Sequence, residues 1–270
     1  MTDYAGEIQE AARLIGNAKK AVAFCGSGVS AESGIATFRD PGGIWDRFDP
    51  MEVGTPEGFL SSLTRNPRSL APLALELIEA FEKAECNPGH VALAELEGMG
   101  ILKTVITQNI DNLQREAGSG NLVEVHGNLF RLVCISCGKG RAYERRPFIA
   151  EMKERLGRLT DFSLPGLAAI VPVCEACGSL MRPDVVMFGE AVRELPRAYH
   201  AARVCDAMLV LGTSGTVFPA AAIPFEAKRG GAPVIVVNPR ENAFGEITDV
   251  FIPMKFGEAV PAILRAIQER

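Results

Sequence analysis

AVAFCGSGVSAESGIATFR, residues 21–39, opens on a short apolar run, Ala21-Val22-Ala23-Phe24, breaks at Gly26-Ser27-Gly28 and continues in small and polar residues to Gly34. An apolar run without helical spacing followed by such a break predicts a buried strand, a tight turn and a helix start. Two glycines one residue apart let backbone approach a ligand where a Cβ would collide, and amides that open a helix suit phosphate. Gly26, Gly28 and Ala31 fit the G-x-G-x-x-G/A spacing of dinucleotide loops, which a purely structural turn satisfies equally well. The sequel departs from that fingerprint, because Phe38-Arg39-Asp40-Pro41-Gly42-Gly43 excludes a long regular helix.

Upstream, residues 3–20 place Ile8, Ala11, Ala12 and Ile15 on one face of an amphipathic helix expected at the sheet edge. Downstream, residues 45–88 carry helical patches, chiefly 73–85, broken by Pro50, Pro56, Pro67 and Pro72; this is the pattern of a small helical insertion. Residues 91–99 read as a helix ended by Gly100, and 101–107 as a β-branched strand. Further apolar strands are expected at 123–127, 206–214, 233–238 and, more weakly, 250–252, with a helix at 191–204. Each strand ends in polar residues or glycine, which predicts a parallel sheet with one ligand crevice along its carboxyl edge. Gln108-Asn109-Ile110-Asp111-Asn112 stands beyond such a strand end, although Asn and Asp also serve to cap a helix over 113–117. His126 ends another, where a lone histidine is more often structural than catalytic.

The chain has 270 residues, 47% of them hydrophobic, enough for a sizeable core in one large domain or a large and a small one. No apolar run reaches membrane-spanning length and the first nine residues lack a signal-peptide pattern, so a cytoplasmic protein without membrane contact is expected. A net charge of -5, with acids and bases interspersed, supplies no overall field for nucleic acid. Of seven cysteines, Cys25, Cys86 and Cys205 lie in apolar surroundings as packed thiols. The other four form two C-x-x-C pairs, Cys134/Cys137 and Cys174/Cys177, separated by 36 residues and each followed by glycine. Two such knuckles supply four thiolates to a closed tetrahedral zinc site, structural because no position is left for water. The spacer between them carries a charged helical stretch at 145–158.

Residues 26–39, G-S-G-V-S-A-E-S-G-I-A-T-F-R, resemble the opening motif of the sirtuins, NAD-dependent protein deacylases. T-Q-N-I-D-N-L (107–113), His126-Gly127, R-P-D-V-V-M-F-G-E (182–190), G-T-S (212–214) and I-V-V-N (235–238) match further blocks of that family in the right order. Departures are Ser27, Ala36, Gln114 in place of the usual His, and Asn238-Pro239-Arg240 in place of N-x-E.

The resemblance implies an α/β fold, a Rossmann-like parallel sheet with helices on both faces plus a small domain made of a zinc-ribbon module and a helical insertion. The boundaries expected are 1–36, 91–129 and 183–270 for the nucleotide-binding domain, 37–90 for the insertion and 130–182 for the zinc module. It implies NAD-dependent transfer of the acyl group from lysine to ADP-ribose with release of nicotinamide, a product expected to inhibit. His126 would be the general base, with Asn109 and Asp111 holding the ribose and nicotinamide. Gly26, Ser27, Gly28 and Ser30 would line the phosphates with Arg39 as their counter-charge, Phe38 would cover the nicotinamide ribose, and Glu32, Thr37 and Trp45 would join the cofactor site. Gly212, Ser214 and Asn238 would hold the adenosine side, and Gln108, Ile110, Thr213, Pro239, Arg240 and Phe256 would complete the cofactor site. Val186, Phe188, Gly189 and Glu190 would face Val217 and Phe218 across a cleft for the acyl-lysine peptide, which would join as an added strand. Other readings are a mono-ADP-ribosyltransferase or NAD hydrolase on the same site, a nucleic-acid-binding zinc ribbon, and a structural zinc protein. Glu144, Glu151 and Glu154 among the zinc segment's arginines argue against the second of these.

Overall fold

The computed structural model describes residues 4–37, 46 and 48–270. Strand β1 (Ala21–Cys25) is buried along its whole length at the centre of a six-stranded sheet. Parallel neighbours flank it: β2 (Leu102–Thr107) and β3 (Leu122–Glu124) on one side, β7 (Ala207–Leu211), β8 (Val234–Val237) and β9 (Val250–Ile252) on the other. The order β3-β2-β1-β7-β8-β9 reverses direction between β1 and β7, the point at which doubly wound sheets open a crevice.

Side chains alternate between two cores with the period of a strand. Ala21, Ala23 and Cys25 face helices α1 (Ala5–Gly16), α5 (Pro88–Gly98) and α11 (Phe256–Gln268), whereas Val22 and Phe24 face α9 (Leu195–Val204) and α10 (Ile223–Arg229). In α1 the predicted face is the buried one, with Ala11, Ala12 and Ile15 inaccessible. Helix α11 was not expected from sequence. Pro261 lies inside it and lacks the N–H that would donate one turn back, but Ala259, Val260, Ile263 and Leu264 bury a continuous face whose packing outweighs that loss.

The insertion after β1 is helical as expected: α2 (Pro50–Val53), α3 (Pro56–Arg65) and α4 (Ala71–Lys83). Asp49 and Thr55 cap α2 and α3, with a proline in the first turn of each. A second, antiparallel sheet has the order β5-β4-β6, from β4 (Gly127–Cys134), β5 (Gly140–Ala142) and β6 (Met181–Val185). Strand β6 escapes a sequence reading because Pro183 demotes its run. Helices α7 (Arg145–Gly157) and α8 (Leu164–Ile170) lie between the cysteine pairs. Phe81 of α4 meets Phe130 of β4 edge-to-face at 5.9 Å beside Ile149 of α7, which joins the helical insertion to this second sheet. Arg145, buried at 2% side-chain exposure, completes the joint: its guanidinium grips Glu116 with two bonds and donates to the carbonyls of Phe81 and Ala84 at the end of α4. No helix among the described residues is long and apolar enough to cross a membrane.

Candidate active site at the strand switch point

The two loops that leave the sheet at the switch point are packed against each other. The Gly28 N–H donates to Gly212 O at 2.8 Å, and the Gly26 N–H to Leu211 O at 2.9 Å. A Cβ on Gly26 would lie 2.5 Å from Thr213 Cβ, one on Gly28 2.8 Å from Gly212 O, and one on Gly212, whose φ is +56°, 2.5 Å from Val29 N. The glycines are therefore demanded first by loop-on-loop contact, not by the approach of a ligand. The helix start predicted after the break is a single 3₁₀ stretch, Ser27–Ser33.

Beyond β2, the Gln108 N–H donates to Cys25 O at 2.9 Å, and its carboxamide donates to Thr213 Oγ1 at 3.0 Å. The Gln108 carbonyl faces His126 Nδ1 at 3.0 Å. A carbonyl only accepts, so Nδ1 carries the proton and Nε2 keeps its lone pair. Burial pushes the His126 pKa below its ordinary value, and this bond to Gln108 offsets part of that shift. His126 does not end a strand as the sequence suggests. It occupies the turn between β3 and β4, the covalent link from one sheet to the other.

Asn109, Asp111 and Ser30 form a buried polar cluster. The Ser30 hydroxyl donates to Asp111 Oδ2 at 2.6 Å and accepts from Asn109 Nδ2 at 3.0 Å, while Asp111 Oδ1 accepts the Leu113 N–H at 2.9 Å. Burial raises the Asp111 pKa, and those two donors hold part of the shift back. Asp111 is 3% exposed and Ser30 1%, so both face inward; Ser30 is turned away from the phosphate role that its position in the motif suggests. Asn112 follows in the left-handed region at φ 71°, its Oδ1 accepting from Asn128 Nδ2 at 2.8 Å. Ile110 O accepts the Leu129 N–H from β4 at 3.0 Å.

Two further assigned residues have other partners. The Glu32 carboxylate accepts the Gly257 N–H at 2.7 Å at the start of α11. The Phe256 ring is 2% exposed, packed on Gly89 and edge-on to His90 at a centroid distance of 5.2 Å, so it lies in the core and not along the crevice. Phe38, Arg39 and Trp45 lie outside the described residues, and Thr37 is the last described before them. At the far side, Thr213 is buried, Ser214 is exposed with its hydroxyl 2.9 Å from that of Thr216, and Asn238 is half-buried with Pro239 and Arg240 exposed beside it. Sequence reading missed Asn87, whose carboxamide donates to Val29 O at 2.8 Å and Ser33 Oγ at 3.1 Å and so braces the 3₁₀ stretch. Its only signal was the helix-cap pattern Asn87-Pro88.

Past β6, the Val186 N–H donates to His126 O at 2.9 Å and the Phe188 N–H to Gly54 O at 2.8 Å, so one short segment touches both the His126 turn and the helical insertion. Gly189 has φ +88°, and Glu190 accepts from the Met187 N–H and pairs with Arg182 at 2.8 Å. Phe188 is 37% exposed with its ring beside Gly54, and Phe218 is 69% exposed. Val217 O accepts the Ala221 N–H.

The sulfurs of Cys134, Cys137, Cys174 and Cys177 lie within 4.8 Å of one another, the nearest pairs at 3.4 and 3.6 Å. Four sulfurs bound tetrahedrally to zinc at about 2.3 Å stand roughly 3.8 Å apart, so the donor set fits zinc closely. Gly138 (φ 71°) and Gly178 (φ 73°) supply the left-handed turn of each knuckle.

The Sir2 family model matches residues 26–219, a span running from the glycine loop through the zinc knuckles to the edge of the Phe218 loop. The chain belongs to the Sir2 family. An NAD-dependent protein deacylase of Desulfosudis oleivorans is 55% identical over 97% of this chain and 96% of its own length. Among solved structures, a Sir2 homologue in complex with NAD superposes with a TM-score of 0.80 at 35% identity, covering 97% of this chain and 94% of the other. A second Sir2 protein, bound to a myristoylated histone peptide, gives 0.72 at 35% identity over 98% of both chains. In this Sir2-family chain Ser27, Ser214 and Asn238 are half-buried or exposed at the loops that follow β1, β7 and β8, the buried Thr213 hydroxyl accepts from Gln108, and the nearby carboxylates Glu32 and Asp111 are turned onto protein donors. A neutral donor set with its acids engaged elsewhere suits a pyrophosphate-bearing dinucleotide.

Proposed function

We propose that this chain removes uncharged acyl groups from protein lysines at the expense of NAD, with His126 as the base. The observation that carries the reading is the His126–Gln108 bond, which leaves Nε2 unprotonated on a residue tied to the loop after β2 and to the Val186 segment. NAD supplies the ribose electrophile and the hydroxyl acceptor, and nicotinamide leaves as a product and inhibitor.

Each chain residue then has a limited task. His126 takes a hydroxyl proton, which an imidazole with a depressed pKa does as a neutral base at pH 7. Asn109, 8% exposed, reaches the ligand with its carboxamide plane fixed by Ser30. Asp111 acts through Ser30 as a positioning residue, because both its oxygens are engaged within the protein. Such positioning lowers a barrier by several kcal/mol when the reacting atoms are held within contact. Gly26, Ser27, Gly28, Gly212, Thr213, Ser214 and Asn238 border the dinucleotide, with Phe38, Arg39 and Trp45 assigned to the same site by motif alone. Val186, Phe188, Gly189, Val217 and Phe218 receive the peptide backbone as an added strand. Cys134, Cys137, Cys174 and Cys177 hold zinc away from the chemistry. The reading keeps the enzyme in the cytoplasm, where a thiolate metal site is not lost to disulfides, and assigns it no nucleic acid partner.

The acyl preference follows from α4. Its stretch from 73 to 81 has neither tyrosine nor arginine to replace the water around an acyl carboxylate, and it carries Glu76 and Glu79. Phe81 is buried against Phe130 and does not line an open acyl channel; Leu77 and Ile78 pack partly on the same cluster. On one peptide, kcat/KM for acetyl-lysine is expected to exceed that for succinyl-lysine by about tenfold or more, since an unpaired buried carboxylate costs at least 1–2 kcal/mol. A succinyl preference would place a basic group in the pocket and overturn this part of the reading.

A further inference from the structure

Strand β4 is irregular. Asn128 pairs with Asp184 of β6, but the next pairing is Leu132 with Pro183, so residues 129–131 bulge out of the ladder. The bulge frees the Leu129 N–H to reach Ile110 O and lets Arg131 turn back toward the His126 turn. There its guanidinium meets two carboxylates from different sheets, with Nε 2.7 Å from Asp184 Oδ2 and Nη1 3.0 Å from Glu124 Oε2. Glu124 ends β3 two residues before His126. Asp184 is in β6, and its carbonyl lies where a Cβ on Gly127, the residue after His126, would sit only 1.8 Å away.

Each carboxylate has other support. Glu124 also holds Arg115 at 3.2 Å and Asn128 at 2.7 Å, and Asp184 also holds Arg193 at 2.6 Å. Asn128 also reaches both strands, holding Glu124 with its carboxamide and pairing with Asp184 through the backbone, but among the described residues Arg131 is the side chain that binds both carboxylates. Losing Arg131 would leave no bare buried acid and so would not unfold the chain, but it would remove the carboxylate-to-carboxylate clamp and leave the Asn128 contacts and the Val186 bond to His126 O as the remaining ties around the turn. The two acids are 8% and 12% exposed, and Arg131 is 35% exposed, so the bridge is partly shielded from screening by salt.

We infer that Arg131 is a positioning residue for His126, clamping β3 to β6 across the turn that presents the imidazole to the hydroxyl it deprotonates. The inference rests on the deacylase reading and goes beyond it, because it concerns one step. The base is needed after nicotinamide has left, so a displaced His126 slows acyl transfer without slowing nicotinamide departure and return. Lysine has one head group and cannot hold two acids in the fixed fork of a guanidinium.

The experiment compares the parent with Arg131→Gln and Arg131→Lys, full-length and zinc-loaded, in two assays on one acetyl-lysine peptide. One assay follows exchange of labelled nicotinamide into NAD and the other follows net deacetylation; thermal midpoints are recorded alongside. Both variants are expected to lose about tenfold to a hundredfold in deacetylation, the scale of an ångström-level misplacement, while nicotinamide exchange stays within about twofold of the parent because the NAD site is untouched. Adding Glu124→Gln to Arg131→Gln should bring little further loss, since the bridge is already broken. Parent-like deacetylation in Arg131→Gln would overturn the inference, and so would an equal fall in exchange and deacetylation, which a general loosening of the fold produces. A parent without peptide-dependent deacetylation would overturn the function reading and this inference with it; an active parent with an unaffected variant overturns this inference alone.

Discussion

His126→Ala will lose net deacetylation by about 10²- to 10⁴-fold, the range that a positioned general base supplies. Nicotinamide–NAD exchange and NAD affinity will stay within about threefold of the parent, since the loops that border the nucleotide are held by their own bonds and not by the imidazole. The Gly28-to-Gly212 and Gln108-to-Thr213 bonds carry that independence. The pH profile follows from the direction of the His126 shift. A base works in its neutral form, and burial holds its pKa below the ordinary 6.5, so activity is retained from pH 7 down to about 6.5 and is lost only as the pH falls further, through the depressed value. A profile whose acidic limb lay above pH 7, or near-parental turnover by His126→Ala, would assign the base to another residue.

Zinc removal is the second large effect. The module that carries the cysteine pairs has very little core of its own: one buried cluster consists of Leu132, Met181 and the ligands Cys134 and Cys174, with Tyr143 and Phe148 packed partly against it. So little buried apolar surface cannot offset chain entropy, whereas a four-thiolate zinc site contributes on the order of 10 kcal/mol. A strong chelator, or Cys174→Ser, is therefore expected to melt β4, β5 and β6. Strand β6 sets up Val186, whose amide binds the His126 carbonyl, and Asp184, which Arg131 clamps, so deacetylation should fall at least about a hundredfold along with the structure. The measurement is zinc content by atomic absorption together with activity and near-ultraviolet circular dichroism. Full activity in a demonstrably metal-free protein would defeat the assignment.

What was legible in sequence was local. Chain order alone displays the strand–glycine-break grammar around 21–28, the polar run 108–112 beyond β2 and the two knuckles, because each depends on residues within a few positions of one another. Direction was harder to read. Ser30 sits in the glycine motif yet points at Asp111, 81 residues away, and Glu32 turns onto the start of α11, 225 residues away; such contacts follow from the β1–β2 and α11 packing and leave no local trace. The glycines were legible but for an incomplete reason, since the β7 loop that crowds them lies far along the chain. Helix α11 and strand β6 were missed because Pro261 and Pro183 are breakers by local rules, and tertiary burial overrode both. The bulge in β4 that aims Arg131 has no sequence signature at all, and the bridge to Glu124 and Asp184 becomes visible only with both sheets in place.

Transfer of lysine acyl groups at the expense of NAD is measured by nicotinamide release from NAD with and without an acetyl-lysine peptide. Release is expected to depend on the peptide, with one nicotinamide formed for each lysine deacetylated. Equal release in the absence of peptide, with the acetyl group retained when peptide is present, would contradict it and make the chain an NAD hydrolase or ADP-ribosyltransferase.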